Sequence, residues 1–334
     1  MKHINIITCS EFRELPEWDK KRFPESEYDF QFNSTEDIIW DAVVVRQNIP
    51  YPMQMRCRKG NVIYTNCEPP SSWPLTKSFL KQFDYGLVQN THVKGSNMKQ
   101  YHGFESWTMG RSSETGKNRF FYEDLIALEP EKTKTISIIT SNKISQPGHI
   151  KRVDVVNRLL KDFPGQIDMY GKGYNFIDTK ADALLPYRFH ICIENAFIPN
   201  CWTEKIADPI LSQTVPVYAG CTNIEDYFGK EGYISFDIND YDALKAIIKR
   251  ILDNPEKEYN HYKNGLEQLR KVLMEKENIV PFVADYIKAH QTSEVDTYSF
   301  KPMQQCFGFK FFYYYLRVKR LLFRIYFTLF KKHK

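Results

Sequence analysis

Residues 41–46 read DAVVVR, three consecutive valines closed by a charged residue at each end. A strand with one wet face alternates apolar and polar residues. An unbroken β-branched run therefore describes a strand buried on both faces, as in the parallel sheets of α/β proteins. Similar short runs recur at 4–8, 61–65 (NVIYT) and 85–89, and again at 136–140 (ISIIT), 167–170, 189–193, 216–218 and 233–236. Helical spacing lies between them at 74–83, 150–162 and 203–212, and the pattern from 241 to 290 is helical throughout. Strands alternating with helices predict an α/β chain with crossover connections. The charged stretch 129–134 (EPEKTK) separates two such series. They predict two Rossmann-like domains, residues 1–128 and 133–290, facing a cleft, with ligands at the carboxyl ends of the strands. Residues 291–308 read as a linker and 309–334 as a separate tail.

Composition narrows the function classes. A chain of 334 residues accommodates two domains, and its hydrophobic and charged fractions are those of a soluble protein. The net charge of +5 is concentrated: residues 309–334 hold eight Lys or Arg and no acid, so the remainder is slightly acidic. That distribution argues against a nucleic-acid-binding face. Seven dispersed cysteines without a CxxC pair predict free thiols in a reducing compartment. Residues 1–12 lack the apolar core of a signal peptide, and no uncharged apolar run reaches membrane-spanning length. The expected location is cytoplasmic.

The most informative stretch is 187–228, YRFHICIENAFIPNCWTEKIADPILSQTVPVYAGCTNIEDYF. Glu194 and Asn195 end an apolar strand, and Thr203, Glu204 and Lys205 open the next helix. A helix N-terminus attracts phosphate, a Lys there adds a full charge, and a Glu can accept from both hydroxyls of a ribose. From these residues alone, a nucleotide site and a capped structural helix are equally open.

The stretch resembles the donor-binding signature of the family 10 glycosyltransferases, the α-1,3/4-fucosyltransferases. Tyr187-Arg188-Phe189, Glu194-Asn195, Thr203-Glu204-Lys205, Val215-Pro216-Val217 and Gly220 follow in the family's order. Arg188 stands where the family pattern has Lys, and Cys201 where some bacterial members carry Tyr. Upstream, residues 141–173 resemble the family segment that runs from a strand through Ser-Asn and a loop to an arginine opening a helix, here Arg152. Gly171-Lys172-Gly173 reads as a tight turn near the nucleotide. In the first domain, Glu68 follows a strand in YTNCEPPSSWP, where the family has a general base, although Pro69-Pro70 replace its usual Ser-Pro. Glu36, Asp37 and Glu105 fit that role less well.

The resemblance implies a GT-B architecture and inverting transfer of L-fucose from GDP-fucose to a glycan hydroxyl. An α-1,3 linkage to N-acetylglucosamine of a bacterial surface polysaccharide or lipopolysaccharide is the expected product. Glu68 would be the catalytic base. Donor binding would fall to Arg152, Glu194, Asn195, Glu204, Lys205, Gly171 and Tyr187. No metal would be required, with stimulation by a divalent ion left open. The same fold acting on another nucleotide sugar, or a non-catalytic glycan- or membrane-binding protein, are the alternatives.

Three further features stand outside this resemblance. Asp240-Tyr241-Asp242 has a DxD form but directly precedes helical residues, so Asp240 reads as an N-cap. His190 and Cys192 alternate on a strand without other ligands and read as core rather than zinc. The tail FKFFYYYLRVKRLLFRIYFTLFKKHK interleaves aromatic and basic residues, which suits the surface of an anionic membrane. It predicts peripheral association with the inner face of the cell membrane; the residues leave the oligomeric state open.

Overall fold

The computed structural model describes residues 1–9, 14–69, 74–89, 97–141 and 147–330, with backbone alone at 324 and 326–330. Pro70 after Glu68, residues 142–146 and Lys331, Lys332 and Lys334 of the tail lie outside the described residues. The chain forms two compact units, one from Met1–Glu105 with Asn278–Lys334 and the other from Ser106–Glu277. It builds most of the first, completes the second, and then returns.

The first stretch contains β1 (Lys2–Thr8), β2 (Tyr28–Phe32), β3 (Ile39–Trp40), β4 (Ala42–Arg46), β5 (Met53–Arg58), β6 (Val62–Asn66), α1 (Lys77–Leu80), β7 (Tyr85–Val88) and β8 (Met98–Gln100). Six of these strands form a wholly parallel sheet in the order β2-β1-β4-β6-β7-β8. β4 explains its own sequence. Val43 and Val45 enter one core with Tyr64, Phe79 and Phe300, while Ala42 and Val44 enter the other with Ile63, Val280 and Ile287. Both faces are dry, so Ala42 to Val45 are all apolar.

The second unit contains α2 (Tyr122–Ile126), β9 (Lys134–Ile139), α3 (Pro147–Asp162), β10 (Asp168–Tyr170), β11 (Tyr187–Ile193), α4 (Glu204–Leu211), β12 (Val215–Ala219), α5 (Glu225–Phe228), β13 (Ile234–Ser235), α6 (Tyr241–Asp253) and α7 (Pro255–Glu275). Its sheet is also wholly parallel, in the order β10-β9-β11-β12-β13. From β9 the chain steps to one side to make β10 and then to the other to make β11. The gap between the carboxyl ends of β9 and β11 is therefore the topological switch point, where open α/β sheets bind ligands.

The return to the first unit adds α8 (Ile279–Ala289), β14 (Val295–Phe300) and α9 (Phe309–Phe330). These elements correct the expected boundaries. The helical run 241–290 is three helices, broken where Pro255 starts α7 and where Asn278 caps α8 by accepting from Val280 N at 2.9 Å. α8 then packs in the first unit. The expected linker holds β14, which pairs antiparallel with β5, and Phe300 is buried. Its partner lies some 240 residues away in sequence, beyond the reach of a local pattern.

The boundary near 128–133 also moves, because residues 106–128 are tied into the second unit. Thr108 N and Oγ1 donate to Asp208 at 3.0 and 2.8 Å, and Ala181 N donates to Met109 O at 2.8 Å. The helix expected at 74–83 shrinks to α1, capped by Thr76, as Phe79 and Phe83 turn inward onto Tyr64.

Candidate donor-binding site at the switch point of the second unit

A cavity of about 320 Å³ opens at the switch point. Thr140 and Ser141 line it from the end of β9, and Ile193 and Asn195 from the end of β11. Arg152 of α3, Lys180 and the α4 residues Glu204, Lys205 and Asp208 complete its polar wall.

Each of these groups is delivered by an ordinary packing demand. In α3 the buried positions Arg152, Val155, Val156 and Leu159 recur at helical spacing. The stripe that seats the helix on the sheet thus carries Arg152 in at its start. Arg152 is 7% exposed. Its Nη1 donates to Asn195 Oδ1 at 2.5 Å and its Nη2 to Ser141 Oγ at 3.3 Å, while Nε has no partner among the described residues. Burial pulls its pKa downward, opposed by the nearby Glu194 carboxylate, and a guanidinium remains charged under such a load. A buried cation with an unmet donor is a ready anion ligand.

Close backbone contacts hold the frame. A Cβ on Gly148, in the first turn of α3, would lie 2.0 Å from Asn195 O. A Cβ on Gly220 would lie 2.3 Å from Glu194 Cγ. Gly171 has φ +113° and packs against Thr140 O, as expected of a tight turn beside the site, although it does not itself line the cavity.

At α4 the charges alternate. Thr203 caps the helix and donates to both oxygens of Glu194, at 2.9 and 3.0 Å. Lys205 Nζ lies 3.4 Å from Glu194 Oε2 and 3.2 Å from Glu204 Oε1. Lys180 Nζ lies 3.5 Å from the same Glu204 oxygen and 2.7 Å from Asp208 Oδ2. Burial raises the Glu194 pKa, with Lys205 opposing it. Burial works the same way on Glu204, but Lys205 and Lys180 outweigh it and hold that carboxyl well below the usual range. Burial disfavours the Lys180 ammonium, yet Asp208 and Glu204 leave its pKa raised.

Of the expected donor residues, Arg152, Asn195, Glu204 and Lys205 come together on the cavity wall. Glu194 does not: it is 2% exposed and serves as an internal clasp between β11 and α4. Tyr187 is also corrected. It begins β11, pairing with Lys134, at the amino end of the strand and roughly 20 Å from the strand's carboxyl end at Ile193. There its hydroxyl donates to Asp168 Oδ2 at 2.6 Å. Cys201 is buried.

His190 and Cys192 are buried as expected of core residues, yet both reach the cavity floor. His190 Nδ1 lies 2.8 Å from Ser137 Oγ, and burial, helped by Lys180, pulls its pKa down to about 3. Asp240 is the N-cap of α6, accepting from Ala243 N at 3.0 Å. Among the described residues no group of three or more His, Cys, Asp or Glu side chains could hold a metal ion.

Sequence reasoning missed Lys180, Asp208 and Gly148. Asp208 left a readable signal, an acid on a helix whose neighbours Ile206, Ala207, Ile210 and Leu211 are all buried. Such a position demands a cation. Lys180 left none, since nothing in DTKADAL tells which side chain turns inward.

In the first unit, Glu68 follows the carboxyl end of β6 and is half-buried, its N–H bonded to Asn66 Oδ1 at 3.2 Å. Of the lesser candidates, Asp37 is exposed and pairs with Arg56 at 3.0 Å, Glu36 is exposed, and Glu105 lies beside Cys67.

Comparison with known proteins bears on the same segment. Residues 129–302 match the family described as glycosyltransferase family 10 (fucosyltransferase), C-terminal part. The human 4-galactosyl-N-acetylglucosaminide 3-alpha-L-fucosyltransferase 9 is 25% identical over 263 residues, covering 76% of this chain and 65% of that protein. Alpha-(1,3)-fucosyltransferase B of Drosophila melanogaster is 30% identical over 130 residues, 34% of this chain and 29% of that one. The chain thus spans less than two thirds of the length of these relatives. A crystal structure of an alpha1,3-fucosyltransferase with GDP-fucose aligns over 87% of this chain and 91% of that one, at 15% identity and a TM-score of 0.48. With the family match covering more than half of its residues, the chain belongs to glycosyltransferase family 10.

Proposed function

We propose that the protein transfers L-fucose from GDP-fucose to a hydroxyl of a glycan, with inversion at the anomeric carbon. The observation that carries this reading is the switch-point cavity. It joins buried Arg152, Lys205 and the N-terminus of α4, all suited to a diphosphate, with the carboxylate of Glu204, suited to a ribose diol. The names of the relatives support fucose as the transferred sugar.

In the proposed reaction the carboxylate of Glu68 takes the proton of the acceptor hydroxyl. That oxygen bonds to C1 of the fucose as the bond from C1 to the β-phosphate oxygen breaks. GDP leaves with the bonding pair. Arg152 and Lys205 stabilise the charge that gathers on the β-phosphate, and no metal is required for that step. The first unit would bind the acceptor and the second the donor. Asn195 would orient Arg152 and reach the donor itself.

The reading extends to placement. α9 exposes Phe311, Tyr314, Tyr315, Val318 and Leu322 beside Arg317 and Lys319, which favours an anionic membrane surface. No helix among the described residues is long and apolar enough to cross a membrane. Work at the cytoplasmic face on a polysaccharide or lipopolysaccharide acceptor would follow.

The test is a thermal-shift comparison of GDP, UDP and ADP at millimolar concentration, followed by a donor-by-acceptor screen with and without EDTA. GDP selectivity and metal-independent fucose transfer are expected. Stabilisation by UDP alone would move the reading to another nucleotide sugar, and no shift with any nucleotide would end it. Lys205→Ala, as a control, should abolish the GDP shift.

A further inference from the structure

Lys205, the lysine offered to the diphosphate, is already engaged. Its Nζ contacts Glu204 Oε1 at 3.2 Å, Glu194 Oε2 at 3.4 Å and Thr203 Oγ1 at 3.1 Å. A phosphate that recruits this lysine must compete with two carboxylates, and the loser would be left charged in a buried place. Glu194 has an alternative, since Thr203 donates to it from both N and Oγ1. Glu204 has one as well, and it is Lys180.

Lys180 Nζ sits between Asp208 Oδ2 at 2.7 Å, Thr108 Oγ1 at 2.9 Å and Glu204 Oε1 at 3.5 Å. Asp208, 1% exposed and bonded by Thr108 N and Oγ1 as well, fixes Lys180 in position. The result is an alternating row, Asp208, Lys180, Glu204, Lys205, Glu194, in which the two lysines share one Glu204 oxygen. A row of this kind can release its fourth member to an incoming anion without stranding the third.

We propose that Lys180 is a positioning residue for donor binding, holding the Glu204 carboxylate so that Lys205 can pass to the diphosphate. The inference rests on the donor-site reading above. Lys180 acts through Glu204, keeping that carboxylate compensated and oriented for the ribose while Lys205 changes partner. Without Lys180, Glu204 holds Lys205 back and the phosphate loses its cation.

The experiment is a double-mutant cycle on GDP affinity, measured by calorimetry. Lys180→Met is expected to weaken GDP binding about tenfold, the scale of one charge-assisted contact. In a Glu204→Gln background, where Glu194 alone competes for Lys205 and Thr203 compensates it, the same Lys180→Met change is expected to cost less than about twofold. A purely structural Lys180 would cost the same in both backgrounds, and that result would overturn the proposal, as would an unaffected single variant. Should Lys180→Met fail to fold because Asp208 is left unpaired, the cycle is run in Asp208→Asn protein, where the Lys180→Met change leaves no buried Asp208 charge behind. A wild-type protein that binds no GDP overturns the donor-site reading and this inference together. GDP binding with an additive cycle overturns the inference alone.

Discussion

Arg152 Nη1 donates to Asn195 Oδ1 at 2.5 Å, so the first turns of α3 are fastened to the end of β11 across the switch point. The same guanidinium reaches Ser141 at the end of β9, bridging both strands that frame the cavity. A single planar donor set does this, and an ammonium on a flexible stem cannot reproduce it. Arg152→Lys therefore keeps the charge but should weaken GDP binding by about tenfold or more. Calorimetric titration checks this, and near-native affinity would show that charge alone suffices.

Gly148 should be the least replaceable glycine of the site. Its absent Cβ leaves room for Asn195 O, which a methyl group would approach to 2.0 Å. Backbone, not a flexible side chain, is the obstacle, so α3 must shift. Gly148→Ala should cost about 1–3 kcal/mol in stability and move Arg152 away from Asn195. Urea unfolding and GDP titration should both register the change.

His190 supplies a pH dependence. Its folded pKa of about 3 lies below the ordinary imidazole value of 6.5. Between these values the unfolded chain binds a proton that the native protein does not. The native state is therefore favoured more as pH rises through this window, and the contribution is complete above 6.5 and lost toward 3. The slope is about 1.4 kcal/mol per pH unit, with a total of order a few kcal/mol. The stability difference between wild type and His190→Gln should grow from pH 4 to 6.5 and then level off. A constant difference would show that His190 does not titrate in this way.

Glu68→Gln separates chemistry from donor binding. The substitution keeps the size of a half-buried side chain in the first unit. Turnover should fall by about a hundredfold or more, the range of general-base assistance, while GDP affinity stays within about twofold of wild type. Wild-type turnover would remove Glu68 as the base and turn attention to Glu105.

Removal of residues 309–334 should abolish binding to vesicles that contain anionic lipid. Intact protein should bind them less as salt rises, because the basic side chains of α9 contribute through screened attraction. Vesicle co-sedimentation measures both effects. Equal binding by the truncated protein would assign the contact elsewhere.

How much was legible in the sequence follows from how local each feature is. The sheet strands β1, β4, β6, β7, β9, β11 and β12 could be read because a strand buried on both faces is dominated by apolar residues. The edge strands β2 and β14 escaped, since most of their residues are not buried, and the partner of β14 lies some 240 positions away. Residues 106–128 were assigned to the wrong unit for a related reason. The contacts of Thr108 with Asp208 and of Met109 with Ala181 span about 70 to 100 positions, with no trace in the local pattern.

The sequence by itself determined the α/β class, the paired parallel sheets, the family, and the stretch from Glu194 to Lys205 as the candidate donor site. Short-range chemistry sufficed for these: apolar runs, a Thr cap, a Lys in a first helical turn. The tertiary structure decided which side chains face the cavity. It turned Glu194 inward as a clasp, set Tyr187 at the far end of β11, and brought Lys180 and Asp208 into the row beside Glu204. The physical reason is that direction and partner depend on strand order. A switch point exists only once β10 and β11 lie on opposite sides of β9, and no single segment of the chain contains that fact.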